Sequence, residues 1–197
     1  YGAAVIRQFE VMGIYTATRS ESLIMARGKL KCLQIVSAAG IDVPKTFMAG
    51  AVEDVPPLID RFSGVPVIIK LLEATHGVGV ILAESRQTAI SVAESFFKLD
   101  QPVILGEFRS NLHRGAMATI TELTQKENEI VLKAARLMGL DIAGVDLLRS
   151  KRGPLIMEVN ASPGLEGIEG TTGVDIAGAI IENVEQGVQR FGKNKKW

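Results

Sequence analysis

Apolar positions along the chain follow two spacings, and these predict an alternation of helices and strands. Leu23, Ala26, Leu30 and Leu33 recur at helical spacing behind Ser20, a residue type that caps helix starts, and predict a helix ending at Gly40. "VPVIIKLL" (Val65 to Leu72) reads as a buried strand, and "EATHGVGV" as a glycine-bearing turn into a second strand. Ser85 opens a helix with Ala89, Val92, Ala93, Phe96 and Phe97 inward, and "PVILGEF" (Pro102 to Phe108) is a further strand. Thr124 and Glu127 form a capping box for a helix running towards Gly139. Val174, Ala177, Ile180, Ile181, Val184 and Val188 mark a last amphipathic helix, after which "GKNKKW" reads as a solvated end. No internal repeat interrupts the pattern, which is that of an α/β or α+β chain.

Composition narrows the class. The 197 residues are 47% hydrophobic, enough for one sizeable core with up to two lobes. Lys and Arg number 22, as do Asp and Glu, so the chain lacks the basic excess of a nucleic-acid binder. A single cysteine, Cys32, excludes an internal disulfide framework and fits a reducing cytoplasm. The apolar runs are too short for a bilayer and no signal-peptide pattern is visible, so no membrane association and a cytoplasmic location are expected.

One stretch carries chemistry that a buried sheet normally avoids. Around the turn "SKRGP" two apolar strands each bear an acid, Asp146 and Glu158, with Asn160 two residues on. Strand alternation places Ile156, Glu158 and Asn160 on one face. A two-residue loop of Lys151 and Arg152 would oppose Asp146 to Met157 and turn Glu158 away. A three-residue loop ending in Gly153 would set Asp146 opposite Glu158, and a glycine suits its last position, which needs positive φ. The three-residue loop is the one expected. Carboxylates roughly 5 Å apart across such a pair repel by about 3 kcal/mol at an effective dielectric of 20. Three arrangements relieve this: both acids face solvent, they share a proton as in a glycosidase dyad, or a cation lies between them. Few aromatics are present to stack a sugar. Two carboxylates and an amide carbonyl are hard donors suited to Mg²⁺ or Mn²⁺, which completes its shell with water and phosphate oxygens. Metal plus phosphate is the preferred reading.

A bound phosphate needs positive charge nearby. Lys70 lies inside an apolar strand, where an unpaired ammonium is costly, although a lysine can also snorkel from a strand edge. Lys29, on its own evidence, reads as a surface residue of the first predicted helix. "THGVGV" is a weak phosphate-loop signal that lacks both the Walker lysine and a following helix. "RSNLHRGA" (Arg109 to Ala116) packs arginines and amides into a polar loop suited to phosphate or carboxylate.

Together, "MARGKLKCLQ", "VIIKLLEATHGVGVILAE", "FRSNLHRGA", "AGVDLLRS", "GPLIMEVNASPGLEGIE" and "TTGVDIAG" resemble the ATP-grasp carboxylate–amine ligases, most closely the RimK type. "SNLHRG" and "MEVNASPGLEGIE" are the specific segments. The resemblance implies an ATP-grasp fold of two subdomains, with ATP held between two antiparallel sheets. It implies that Lys29 and Lys70 contact the nucleotide phosphates and that Gly77 and Gly79 belong to a glycine loop closing over them. Glu107 then stands at the adenine and ribose end, Arg109, Ser110 and Asn111 complete the ATP site, and Asp146, Glu158 and Asn160 hold two Mg²⁺ or Mn²⁺ ions. Arg114 is implied as the catalytic residue that stabilises the transferred phosphate or the substrate.

The activity implied is addition of glutamate to the C-terminal tail of a ribosomal protein through an acyl phosphate, by a homo-oligomer. Related ligases act on a small molecule or a carrier protein, as in glutathione or lysine biosynthesis, and a non-catalytic ATP-binding module is the alternative from another class. The chain departs from the family pattern where Ala74 and Ala116 replace glycines. It also departs at Glu107–Phe108–Arg109, which fuses segments that a hinge and a hairpin separate in the family and implies a segment missing between 107 and 109. Residues 1–19 resemble the tail of a preceding domain, 20–191 the ATP-grasp domain and 192–197 a frayed end.

Overall fold

The computed structural model describes residues 1–72, 79–107 and 119–194. In chain order these form α1 (Gly2–Val11), α2 (Ser20–Arg27), α3 (Lys29–Ala38), β1 (Thr46–Ala49), α4 (Val55–Arg61), β2 (Val67–Leu71), β3 (Val80–Ala83), α5 (Arg86–Phe97), β4 (Val103–Glu107), α6 (Gln125–Leu137), β5 (Gly144–Ser150), β6 (Gly153–Asn160), α7 (Glu166–Thr172) and α8 (Ile176–Asn194). None of the described helices is long and apolar enough to cross a membrane.

Two lobes emerge, each with its own core. In the first, an antiparallel sheet of order β1-β4-β2-β3 carries α4 and α5 on one face. Alternation sends Val67 and Ile69 of β2, and Val103 and Leu105 of β4, into a fully buried layer against Val55, Ile59, Ala89 and Ala93. The intervening residues, Lys70 and Ile104, are cross-strand partners on the opposite face. In the second lobe, α2, α3 and α6 pack on the two-stranded β5–β6 sheet around Ala26, Cys32, Val36, Ala134, Met138, Ile156 and Val159.

Several elements form as the sequence predicts. The Ser85 hydroxyl accepts from Thr88 N at 3.1 Å and starts α5. Thr124 and Glu127 make the reciprocal capping box of α6.

The helix expected to run unbroken from Ser20 to Gly40 is instead two helices. Gly28, at φ −78° and ψ 91°, leaves helical geometry, and α3 restarts at Lys29. Ser20 is the first helical residue of α2, not its cap. Glu10 of α1 does the capping, accepting from Ser20 N at 2.9 Å and from Ser20 Oγ at 2.6 Å. In the last helix Ala177, Ile180 and Val184 are half-buried, whereas Ile181 and Val188 are exposed, as is Val174, which falls before the helix begins at Ile176. The ring of Tyr15 packs on that helix beside Gly187 and Phe191.

The hairpin also differs from expectation in an instructive way. Ser150 pairs with Gly153, so the loop is the two-residue Lys151–Arg152 turn and not the three-residue one. The Ser150 hydroxyl closes it, donating to Gly153 O at 2.7 Å and accepting from Arg152 N at 3.1 Å. The glycine takes its positive φ of +103° just after the turn. From there Leu147 pairs with Ile156, and then the register shifts by one, leaving Met157 without a partner. This bulge restores Asp146 opposite Glu158. It also turns Ile156 into the core beside Val159, off the face that it was expected to share with Glu158.

One charged contact ties α6 to β5. Glu127, only 4% exposed, accepts from Arg149 Nε at 2.6 Å and Nη2 at 2.9 Å, and from Thr124 N at 2.8 Å. The Arg149 hydrogen bond, followed by the Thr124 backbone, pulls its carboxyl from 4.5 down to about 2. A depressed carboxyl binds fewer protons in the folded state than in the unfolded one. Its stabilising contribution is therefore complete above pH 4.5 and is lost as pH falls towards about 2. Glu127→Gln should flatten the fall of the thermal midpoint across that window in circular-dichroism melts. An unchanged acid slope in the variant would count against this assignment.

Candidate active site

The two lobes face each other across a cavity of about 760 Å³. Its walls include Lys29, Cys32 and Leu33 of α3, Lys70 of β2, and Glu158 and Asn160 of β6. Strand alternation explains Lys70: Ile69 faces the first core, so the next side chain must face the cavity. The break at Gly28 explains Lys29, which opens α3 and donates from Nζ to Leu71 O at 3.3 Å across the cleft. A lysine at a helix start is unfavourable against the helix dipole, and the two positive ends together suit an anion.

The electrostatics couple these residues. Burial depresses the Lys70 amine below its ordinary range, Glu158 opposes that shift, and Lys29 adds to it. Burial likewise depresses Lys29, with Glu158 again opposing. Two crowded amines that resist carrying their charges are thus held next to one carboxylate, and an arriving polyanion would favour both as ammonium groups. Cys32, one helical turn after Lys29, is buried, and desolvation pushes its thiol upward. It belongs to the wall and not to reactive chemistry.

On the opposite wall Asp146 pairs with Glu158, and Gly144 with Asn160. Asp146 stands just outside the residues that line the cavity. Protein atoms crowd its carboxyl from one side and push it above the ordinary carboxylate range, although the residue is exposed. Among the described residues, the side chains of Asp146, Glu158 and Asn160 have no hydrogen bond, and neither acid is in an ion pair at contact distance. No group of three or more His, Cys, Asp and Glu side chains converges among the described residues either. The donor set is two carboxylates and an amide oxygen. Such hard, unengaged oxygens fit Mg²⁺ or Mn²⁺, with open positions left for water and phosphate.

The remaining expected site residues divide. Gly79 ends the turn before β3 at φ +72°, and its carbonyl accepts from Leu71 N at 3.0 Å. A Cβ there would lie 2.6 Å from Leu71 Cδ1, so a side chain is excluded. Glu107 does not line the cavity, although its neighbour Gly106 does. Its carboxylate accepts from Lys45 N at 3.0 Å and is ion-paired with Arg152. Gly77, Arg109, Ser110, Asn111 and Arg114 lie outside the described residues, as do Ala74 and Ala116.

Sequence reasoning missed Met157, Thr46 and Arg27, which also line the cavity. Met157 is there because the bulge turns two consecutive residues, Met157 and Glu158, to the same side. An apolar residue directly before an acid in a strand gives no such signal. Arg27 was legible only as a third basic residue near the helix break.

Comparison with known proteins identifies the family. The RimK-like ATP-grasp domain model matches residues 26–105 and 99–184. A protein named probable alpha-L-glutamate ligase 1 from Shewanella amazonensis is 46% identical, covering 98% of this chain and 74% of its own length. That alignment runs over 224 positions against 197 residues here, so the relative carries interior residues that this chain lacks. A probable alpha-L-glutamate ligase from Citrobacter koseri is also 46% identical, over 94% of this chain and 72% of its own. Among solved structures, the D-alanine–D-alanine ligase of Coxiella burnetii superposes with a TM-score of 0.80 at 17% identity, covering 98% of this chain and 67% of that one. A RimK-domain ATP-grasp protein from Sphaerobacter thermophilus gives 0.76 at 18%, covering 92% and 76%. With Lys70 on one lobe, Lys29 and the acids on the other and the family match across both lobes, the chain belongs to the RimK-like ATP-grasp family and is an ATP-dependent carboxylate–amine ligase.

Proposed function

We propose that this ligase adds glutamate to a carboxylate acceptor at the C-terminus of a protein, with a ribosomal protein tail as the acceptor. The observation that carries the reading is the convergence of Lys29, Lys70 and Glu158 on one cavity, with Asp146 and Asn160 on the same hairpin wall. The names of the curated relatives support glutamate as the amino acid. The protein-tail acceptor rests on the resemblance of "SNLHRG" and "MEVNASPGLEGIE" to RimK-type enzymes.

In the reaction proposed, an acceptor carboxylate oxygen attacks the γ-phosphorus of ATP and ADP leaves, forming an acyl phosphate. The glutamate amine then attacks the acyl carbon, and the tetrahedral intermediate collapses to an amide with loss of phosphate and of the amine proton. Little covalent work falls to the protein, so positioning and charge neutralisation dominate. Lys29 and Lys70 orient the phosphates and offset their charge. Mg²⁺ or Mn²⁺ bound by Asp146, Glu158 and Asn160 would supply Lewis-acid neutralisation of phosphate oxygens. Arg114, from its place in the sequence motif, is proposed to steady the transferred phosphate.

Product analysis tests the reading directly. With ATP, Mg²⁺ or Mn²⁺, glutamate and a peptide ending like the ribosomal acceptor, ADP and phosphate should appear together with a glutamate-sized mass gain on the peptide. Turnover with a small-molecule acceptor but never with the peptide would replace the protein-tail proposal by a small-molecule ligase. Glu158→Gln should lower turnover by about a hundredfold to a thousandfold, the order of loss seen on removing one electrostatic stabiliser of a transition state. Near-normal turnover at saturating metal would remove Glu158 from the site.

The same substitution yields a second expectation that needs no turnover. Glu158 raises the amine of Lys70 against the downward pull of burial. Its neutralisation should therefore drop the Lys70 amine further and increase its neutral, nucleophilic fraction. Amine-selective acetylation of the ligand-free protein, read by peptide mass spectrometry across pH, should show the Lys70 labelling profile moved to lower pH in the variant. A profile that stays in place would show that the two groups are not coupled.

A further inference from the structure

Arg152 stands at the tip of the β5–β6 hairpin, and its guanidinium is ion-paired with Glu107 at the end of β4. The hairpin belongs to one lobe and β4 to the other, so this pair spans the cleft. The Glu107 side chain is only 15% exposed, and the same oxygen accepts from Lys45 N at 3.0 Å. Arg152 itself is 41% exposed, but the carboxylate that it meets is enclosed and also held by a backbone amide, which makes the joint firmer than a pair exposed on both sides.

A second polar link crosses the cleft where Lys29 Nζ donates to Leu71 O at 3.3 Å. The two links differ in kind. Lys29 lines the cavity, so a phosphate entering there competes with Leu71 O for its amine. Arg152, Glu107 and Lys45 all stand outside the cavity lining, so their joint is not one that a phosphate at Lys29 and Lys70 displaces directly.

We propose that Arg152 is a positioning residue for the ligase reaction. By pairing with Glu107 it holds the lobe bearing Asp146, Glu158 and Asn160 in register with the lobe bearing Lys70, so that nucleotide meets a preformed cleft. The proposal rests on the reading of the cavity as the nucleotide site. Its physical content is a population: apparent affinity falls in proportion to the fraction of molecules whose lobes are correctly spaced. Without the joint, nucleotide must draw the lobes together itself. Once bound it meets the same walls, so the chemical step is left nearly as it was.

The test compares the wild type with Arg152→Ala, Arg152→Glu and Arg152→Lys. It reads KM for ATP and kcat in the ligase assay, Kd for ADP by titration calorimetry, and the thermal midpoint. Arg152→Ala should raise KM for ATP and Kd for ADP in parallel by about tenfold, with kcat within about twofold. Arg152→Glu, which faces Glu107 with like charge, should weaken nucleotide beyond the alanine variant. Arg152→Lys retains the charge on a partly exposed turn, folds normally, and should recover affinity to within about threefold of wild type. Unchanged KM and Kd in the alanine and glutamate variants, even with a lower thermal midpoint, would make the pair a stability contact and overturn the proposal. A fall in kcat at constant KM would overturn it too. The ADP titration needs no turnover, so wild type that binds ADP without ligating refutes the ligase reading while the joint is still measured. Wild type that binds no nucleotide refutes the cavity reading and this proposal with it.

Discussion

A single unpaired residue in β6 decides which way the acidic hairpin faces. With the tight Lys151–Arg152 turn and a regular ladder, Glu158 would point into the second core, where Val159 now lies. An ionised carboxylate there, with no partner, would cost several kcal/mol. The bulge at Met157 moves the register by one and resolves this. Ile156 and Val159 complete the packing beneath α3 and α6, while Met157, Glu158 and Asn160 are released to the cavity. The turn, closed by the Ser150 hydroxyl, and the bulge are therefore one unit: altering either by a residue would exchange the core face for the site face.

The opposite wall obeys the same alternation without correction. β2 keeps an unbroken register, so Ile69 buried against Leu105 obliges Lys70 to face the cleft. On the hairpin's own lobe, the helix break at Gly28 sets Lys29 at the start of α3 instead of in the middle of a long helix. The lysines on these two elements share one carboxylate, Glu158, which belongs to a third element. Each group is strained by the company it keeps: burial presses the amines down and the Asp146 carboxyl up. Strain of that pattern, amines and acids both desolvated around a shared space, is what a cleft for a phosphate chain and its cations requires.

Much of the local structure was legible in the residues. Ser85 with Thr88, and Thr124 with Glu127, state their helix starts in hydroxyls and carboxylates a turn apart, because capping is a local hydrogen-bond problem. The pairing of Asp146 with Glu158 was also anticipated, although by the wrong loop. The three-residue turn and the two-residue turn plus bulge give the same partner, and only the facing of Ile156 tells them apart. Helices α1, α4 and α7 and strand β1 were not anticipated. In α1 and α7 no residue is fully buried, so neither adds a core position from which a buried face could be read. The capping of α2 by Glu10 could not be read either, since it depends on a turn that brings residues ten apart together.

By itself the sequence determined the alternation of strands and helices, the helix caps, the acids and amide of the hairpin, and through its motifs the kinship with ATP-dependent ligases. All of these depend on neighbours a few residues apart or on an ordered string of residue types. Tertiary structure alone decided that Lys29, Lys70 and Glu158 meet, that Asp146 stands at the edge of the cleft, and that Arg152 reaches Glu107. The physical reason is that these contacts join residues far apart in the sequence, several of them from different lobes. Their distances are set by how two separate cores pack, which no local periodicity records.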